Sequence, residues 1–297
     1  MGSVFEDLKN AFKRSNNYLN QLIVINVVAW LAYSLIYVLA VVSNHGELFN
    51  FIRTNLELPS GLHSFIFKPW TLISYFFLHA QTSLFHILFN MLWFYWCGRI
   101  IQDLVGSSKI LGLYVWGGIS GGLLYLLAYN TIPYFIGLGP ALLVGASASV
   151  MAVVVGAATL APDYSFNLMF IGRVKMIHIG LFYVALSIIS LAGSNGGGEI
   201  AHLGGALAGF IFIKQLQKGN DLSKPVFGIV DFFGNLFKPS PKMKVSHKKK
   251  PKNTPSKNSS VPQEEIDKIL DKISQSGYES LTKEEKNKLF SASQKKD

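Results

Sequence analysis

Six stretches of this chain are apolar enough to leave water, and that leaves the backbone few ways to fold. In hydrocarbon every N–H and C=O must find its partner within the protein, so a run of about 20 apolar residues becomes a membrane-crossing helix. The runs cover residues 22–42, 83–101, 110–129, 147–161, 174–192 and 200–213. Half of all residues are hydrophobic and only 15% are charged, which excludes a soluble domain of this length. The first run is longer than a signal-peptide core and has no small-x-small cleavage site, so it reads as a retained span. The expected fold is an all-α membrane protein with six transmembrane helices, an aromatic interfacial connection over 43–75, and close helix approach at Gly117, Gly118, Gly121 and Gly122.

The net charge of +10 would suggest nucleic acid only if the cations were clustered for it, and they are not. Lys9, Lys13, Arg14, Arg99, Lys109, Arg173, Lys175, Lys214 and Lys218 fall on one side of the six spans, and only Arg53 and Lys68 on the other. Basic loops stay cytosolic, so both termini are expected in the cytosol of a multi-pass protein of the plasma (inner) membrane. Arg99, Asp103 and Lys109 are expected to form a charged turn after the second span. Residues 1–20 carry Phe5, Leu8 and Phe12 at helical spacing among Lys9, Lys13 and Arg14, and read as an interfacial amphipathic segment.

Residues 21–218 then form the membrane domain. Residues 219–260, ending in a Lys-, Pro-, Ser- and Asn-rich stretch, read as a basic flexible linker able to touch anionic lipid. Residues 261–297 read as a small cytosolic helical hairpin: Ile266, Ile269, Leu270 and Ile273 share one face, and Thr282 and Glu285 have capping-box spacing. A docking role toward a cytosolic partner stays open for it. The single cysteine, Cys97, cannot form an intrachain disulfide.

Spans two, four and six run from the outer to the inner face, and His86, Ser147 and His202 each lie in the first turns of one of them. The three polar groups therefore share one depth, toward the non-cytosolic side. Intramembrane polar residues are expensive and point to function. Ser147 alone fits a packing role as well as a nucleophile. His202 can accept a proton from a serine hydroxyl. Ala201, Gly205 and Gly209 on the sixth span, facing Gly145, Ala148, Ala152 and Gly156 at the fourth, allow the close crossing such a pair requires. His86 and Asn90, four apart, present donors from one helical face, either to a developing oxyanion with the Ser147 backbone N–H or to neighbouring helices. Glu199 and Asp163 are the acids nearest in sequence; both are read as helix-end residues facing water, and no triad is assigned. His79 reads as loop packing, and His45, His63 and His178 as peripheral, so no metal site or cofactor is expected.

The segments His86-Ile87-Leu88-Phe89-Asn90, Gly145-Ala146-Ser147-Ala148 and Ala201-His202-Leu203-Gly204-Gly205-Ala206-Leu207-Ala208-Gly209, in this order, resemble those of the rhomboid intramembrane serine proteases. The resemblance runs from Trp70 to about Lys218. It implies a six-helix rhomboid bundle with a Ser147–His202 dyad lacking an acid, and oxyanion donors in His86, Asn90 and the Ser147 amide. It also implies cleavage of transmembrane substrates near small residues at a membrane border. Two positions depart from the family pattern: Ala148 stands where Gly usually follows the serine, and Trp70-Thr71 where Trp-Arg is frequent.

Other readings lack residues. No His-Glu-x-x-His occurs for a zinc protease, and no Gly-x-Gly-Asp for an aspartyl one. A channel or transporter would need intramembrane carboxylates or an inverted repeat. An inactive rhomboid-like protein that binds transmembrane helices would be marked by loss of Ser147 or His202, and both are present. Water for hydrolysis is expected to enter where the second and sixth spans are short.

Overall fold

The computed structural model describes residues 17–81, 83–168, 172–236 and 262–293, so the amphipathic segment read at 1–20 lies almost wholly outside it. The first span is α1 (Tyr18–Val42). The connection that follows is built from α2 (Gly46–Leu56), the two-residue strand β1 (Leu58–Pro59), α3 (Leu62–Phe67) and α4 (Thr71–Ser74), which runs into a 3-10 turn over Tyr75–Phe77. Next come α5 (Leu84–Val105), α6 (Ser108–Thr131) and the short α7 (Pro133–Gly137). Strand β2 (Leu142–Leu143) pairs antiparallel with β1. The chain continues through α8 (Ser147–Leu160), the hairpin of β3 (Ser165–Leu168) and β4 (Gly172–Lys175), α9 (Met176–Ile189) and α10 (Gly196–Gln217). Four helices, α1, α5, α6 and α10, are long and apolar enough to cross a membrane; α8 and α9 are shorter apolar helices.

Helix α8 is the centre of the bundle. Ten of its 14 residues are buried, whereas α1 buries five of 25, as a helix with most of its surface toward lipid would. Small residues make the enclosure tight. A Cβ at Gly117 or Gly121 of α6 would lie 2.5 Å from the Cβ of Ala152 or Ala148, and one at Gly205 or Gly209 of α10 would overlap the carbonyl oxygens of Ala148 and Ala152. Gly156 continues the strip, its Cβ position 3.2 Å from Leu113 on α6 and 3.5 Å from Ile213 on α10. Buried polar clips tie the outer parts to this core. Tyr114 on α6 donates to Asn26 Oδ1 of α1 at 3.0 Å, and Glu57, 1% exposed, accepts from Tyr33 and Arg53, each at 2.9 Å. The Thr71 that stands in place of a family arginine is fully buried and donates to the Lys68 carbonyl at 2.6 Å.

Several expectations need correction. Arg99 and Asp103 are not in a turn: α5 runs on to Val105 and they form an i,i+4 ion pair along it, at 3.7 Å. The sixth span starts at Gly196 instead of residue 200, because its glycines are contact positions; a Cβ at Gly197 would lie 3.0 Å from both Tyr125 and Tyr129. The second and sixth spans are not short, at 22 residues each; the short ones are α8 and α9, each an α-helix of 14 residues or ~21 Å, against a hydrocarbon core of about 30 Å. The chain does not become a flexible linker at 219. Helix α11 (Ser223–Leu236) is pinned to α6 by Lys109 paired with Asp221 and by Trp116 Nε1 donating to the Leu222 carbonyl at 2.8 Å. Burial alone would raise the Asp221 carboxyl, but the Lys109 ammonium and Ser223 outweigh it and hold it below the usual carboxylate range.

The C-terminal residues form a second compact unit. Helix α12 (Gln263–Ser276) and helix α13 (Lys283–Ser293) are joined through a 3-10 turn, with Ile269 and Leu281 buried. Lys272–Glu285 at 3.0 Å and Lys288–Glu265 at 2.8 Å link the two helices. The capping box is formed: Thr282 N–H donates to Glu285 Oε2 at 2.8 Å, and Glu285 N–H to Thr282 Oγ1 at 3.3 Å.

Candidate active site

Ser147 is the first residue of α8 and stands in the wall of a cavity. The chain enters this helix through Gly145, which adopts φ +139°, a conformation that disfavours any side chain. Its N–H donates to the Tyr75 carbonyl at 3.1 Å. A Cβ there would sit 3.4 Å from His86 Cε1 and 3.5 Å from Ser147 Oγ, between the two groups. Gly145, grouped above with the helix-packing residues, therefore precedes the helix and clears the space between Ser147 and His86.

A cavity of about 370 Å3 has Ser147, His86, Asn90 and His202 in its wall, from three different helices. The rest of the wall is largely apolar, including Phe85, Phe89, Trp93, Met151 and Tyr183. Trp93 and Tyr183 meet edge to face at 5.3 Å, across the gap between α5 and α9. A second cavity, about 430 Å3, shares Ser83, His86 and Ser147 and is lined on its far side by Tyr125, Tyr129, Ser194 and Asn195. Ser147 thus stands between an apolar chamber and a more polar one. A further cavity, about 770 Å3 and lined by Arg53, Lys68 and Pro140 among others, has none of these four residues in its wall.

Each polar group has a definable role in this arrangement. As the first residue of α8, Ser147 has a backbone N–H with no intrahelical acceptor, at the positive end of the helix dipole. Among the described residues no hydrogen bond joins Ser147 to His202; both stand in the wall of one cavity. One amide hydrogen of Asn90 goes to the His86 carbonyl at 2.7 Å, which fixes the side chain and leaves its second hydrogen. His79 is fully buried with its ring centroid 5.7 Å from that of His86 and neither ring nitrogen partnered. Ser149, two residues from Ser147, is fully buried in the bundle, away from the cavity wall. Ala148 directs its methyl at Gly121, so the alanine that replaces the family glycine is accommodated by the absence of a side chain on α6.

The expectation for Glu199 is overturned. The extra turn of α10 draws it inward, so its side chain is only 17% exposed and its Oε2 lies 3.1 Å from His202 Nδ1. Ser187 Oγ on α9 lies 3.4 Å from the same nitrogen. The i,i+3 spacing of Glu199 and His202 signals this contact; reading the glycines before it as loop hides it. Asp163 does face water, paired with Lys175 at 2.7 Å, which holds its carboxyl below the usual range. Among the described residues no cluster of His, Cys, Asp and Glu suits a metal ion.

The family described as Rhomboid domain matches residues 67–218, and a family of unknown function, DUF6576, matches 257–295. The chain is 31% identical over 159 residues to the rhomboid protease GlpG of Haemophilus influenzae, a match covering 52% of this chain and 74% of that protein. It is 30% identical over 161 residues to the mitochondrial RHOMBOID-like protein 12 of Arabidopsis thaliana, covering 50% of this chain and 47% of that one.

Proposed function

This chain belongs to the rhomboid family, and from that premise we propose that it is an intramembrane serine endopeptidase that cleaves transmembrane segments of other membrane proteins near the non-cytosolic face. The observation that carries the proposal is the single cavity walled by Ser147, His86, Asn90 and His202. Ser147 Oγ attacks the scissile carbonyl and passes its proton to His202, giving an acyl-enzyme that water then hydrolyses. The oxyanion is met by the free Ser147 N–H, the remaining Asn90 amide hydrogen and His86. The polar cavity on the other side of Ser147 is a route for the water. A substrate helix must unwind locally, since its carbonyls are hydrogen-bonded and shielded, so helix-breaking residues favour cleavage. Residues 21–218 are the protease domain, with both termini cytosolic in the plasma (inner) membrane; its partners are the bilayer and transmembrane substrates, and the C-terminal hairpin is left for a cytosolic partner.

The test is labelling of the detergent-solubilised chain with a fluorophosphonate. Native protein and Ser149→Ala are expected to label, and Ser147→Ala and His202→Ala to lose the signal. A folded native chain that never labels would turn the assignment toward a helix-binding, catalytically inactive protein.

A further inference from the structure

The dyad chemistry leaves the carboxylate beside His202 without a role. Glu199 lies one turn before His202 on α10, its Oε2 3.1 Å from His202 Nδ1, with both side chains under one-fifth exposed. A carboxylate withdrawn from water needs a hydrogen-bond donor or a cation, and among the described residues its ion-pair partner is His202. An ionised carboxylate only accepts, so the hydrogen of that contact belongs to Nδ1. A neutral imidazole with its hydrogen on Nδ1 carries the lone pair on Nε2. Buried Ser187 on α9 lies 3.4 Å from the same nitrogen.

We propose that Glu199 is a positioning residue for the reaction: it holds His202 in the Nδ1–H tautomer, keeps Nε2 as the basic nitrogen for Ser147, and stabilises the imidazolium that follows. The inference rests on the Ser147–His202 reading above, and it adds a third, supporting residue to that pair. During attack the Ser147 O–H bond breaks, its proton moves to Nε2, the Oγ–C bond forms, and the carbonyl π pair becomes the oxyanion. The Nδ1 hydrogen stays in place and Glu199 remains ionised throughout. The other titratable groups facing His202 are His86 from α5 and Tyr183 from α9, both in the shared cavity wall. From α6 the near polar group is the uncharged Ser120, whose hydroxyl donates to the Gly204 carbonyl at 2.9 Å.

The experiment measures fluorophosphonate inactivation of the full chain against pH for native, Glu199→Gln and Glu199→Asp, with Ser147→Ala as blank and a melting curve for each. Glu199→Gln is expected to slow labelling about ten- to hundredfold, the range of a charge-assisted hydrogen bond. Its acid limb moves to lower pH, because the charge favouring imidazolium is gone. Glu199→Asp keeps the charge and recovers part of the rate with the limb near its native place. Selective 15N-histidine NMR of the native chain, with His202→Gln for assignment, is expected to find the proton on Nδ1 and Nε2 bare. An unmoved rate and limb in folded Glu199→Gln, or a proton on Nε2 in the native chain, overturns the proposal. Should Glu199→Gln not fold, the tautomer decides. A native chain that never labels defeats the protease reading, and the tautomer still decides this one.

Discussion

Ala148 shows how one methyl group is tolerated beside a reactive serine. Its Cβ occupies the space that Gly121 leaves on α6, where a second Cβ would come within 2.5 Å of it and 2.8 Å of the Ala201 carbonyl oxygen. Gly121→Ala is therefore expected to destabilise the bundle by about 1–3 kcal/mol. Adding Ala148→Gly should return part of that loss, a coupling of about 0.5 kcal/mol or more in melting curves; strict additivity would contradict the packing. At this scale the sequence was informative about type and order. Ser147, His86, Asn90 and His202 were legible because polar groups gathered at one depth of apolar helices are costly to keep there without a use. Glu199 was not, because its value depends on whether the glycines before it are helix or loop, and only the tyrosine rings of α6 decide that.

Among the elements, the apolar runs marked the four long helices and the two shorter ones well and their ends poorly. Charged residues such as Arg99 and Asp103 continue a helix when they pair along it, and glycines continue one when a neighbour needs the room. The β3–β4 hairpin and the continuation of the fold through α11 went unread; for α11 the reason is that the Lys- and Pro-rich composition of 238–260 was extended back to 219, although residues 219–236 carry only one Lys against two Asp. The anchor of α11 on α6 is testable. Asp221→Ala removes the partner of Lys109, a contact contributing on the order of 1 kcal/mol. Amide exchange across residues 223–236 is expected to accelerate while fluorophosphonate labelling holds; unchanged exchange would assign the anchoring to Trp116 and Leu222 alone.

Across the whole molecule there are two compact units, and the C-terminal one is held in part by groups that respond to acid. In the C-terminal unit Lys288 holds Glu265 below the usual carboxylate range, and the Thr282 backbone N–H followed by Lys272 does the same for Glu285. Carboxyls depressed by folding stabilise above their unfolded value of about 4.3, and that contribution is lost as pH falls through their folded values. NMR shifts of residues 262–293 should therefore lose helical character below about pH 4, and a hairpin unchanged at pH 2 would show that Ile269 and Leu281 hold it without the ion pairs. For the membrane unit the decisive dimension is a length. Under the proposed topology, with its Leu160 end at the inner boundary, helix α8 rises ~21 Å to Ser147 and leaves ~9 Å of a 30 Å core above it. A reactive group at the end of a rod of fixed length is a ruler: under the proposed reaction, the bond offered to Ser147 is selected by its depth, about six residues of helix below the outer boundary.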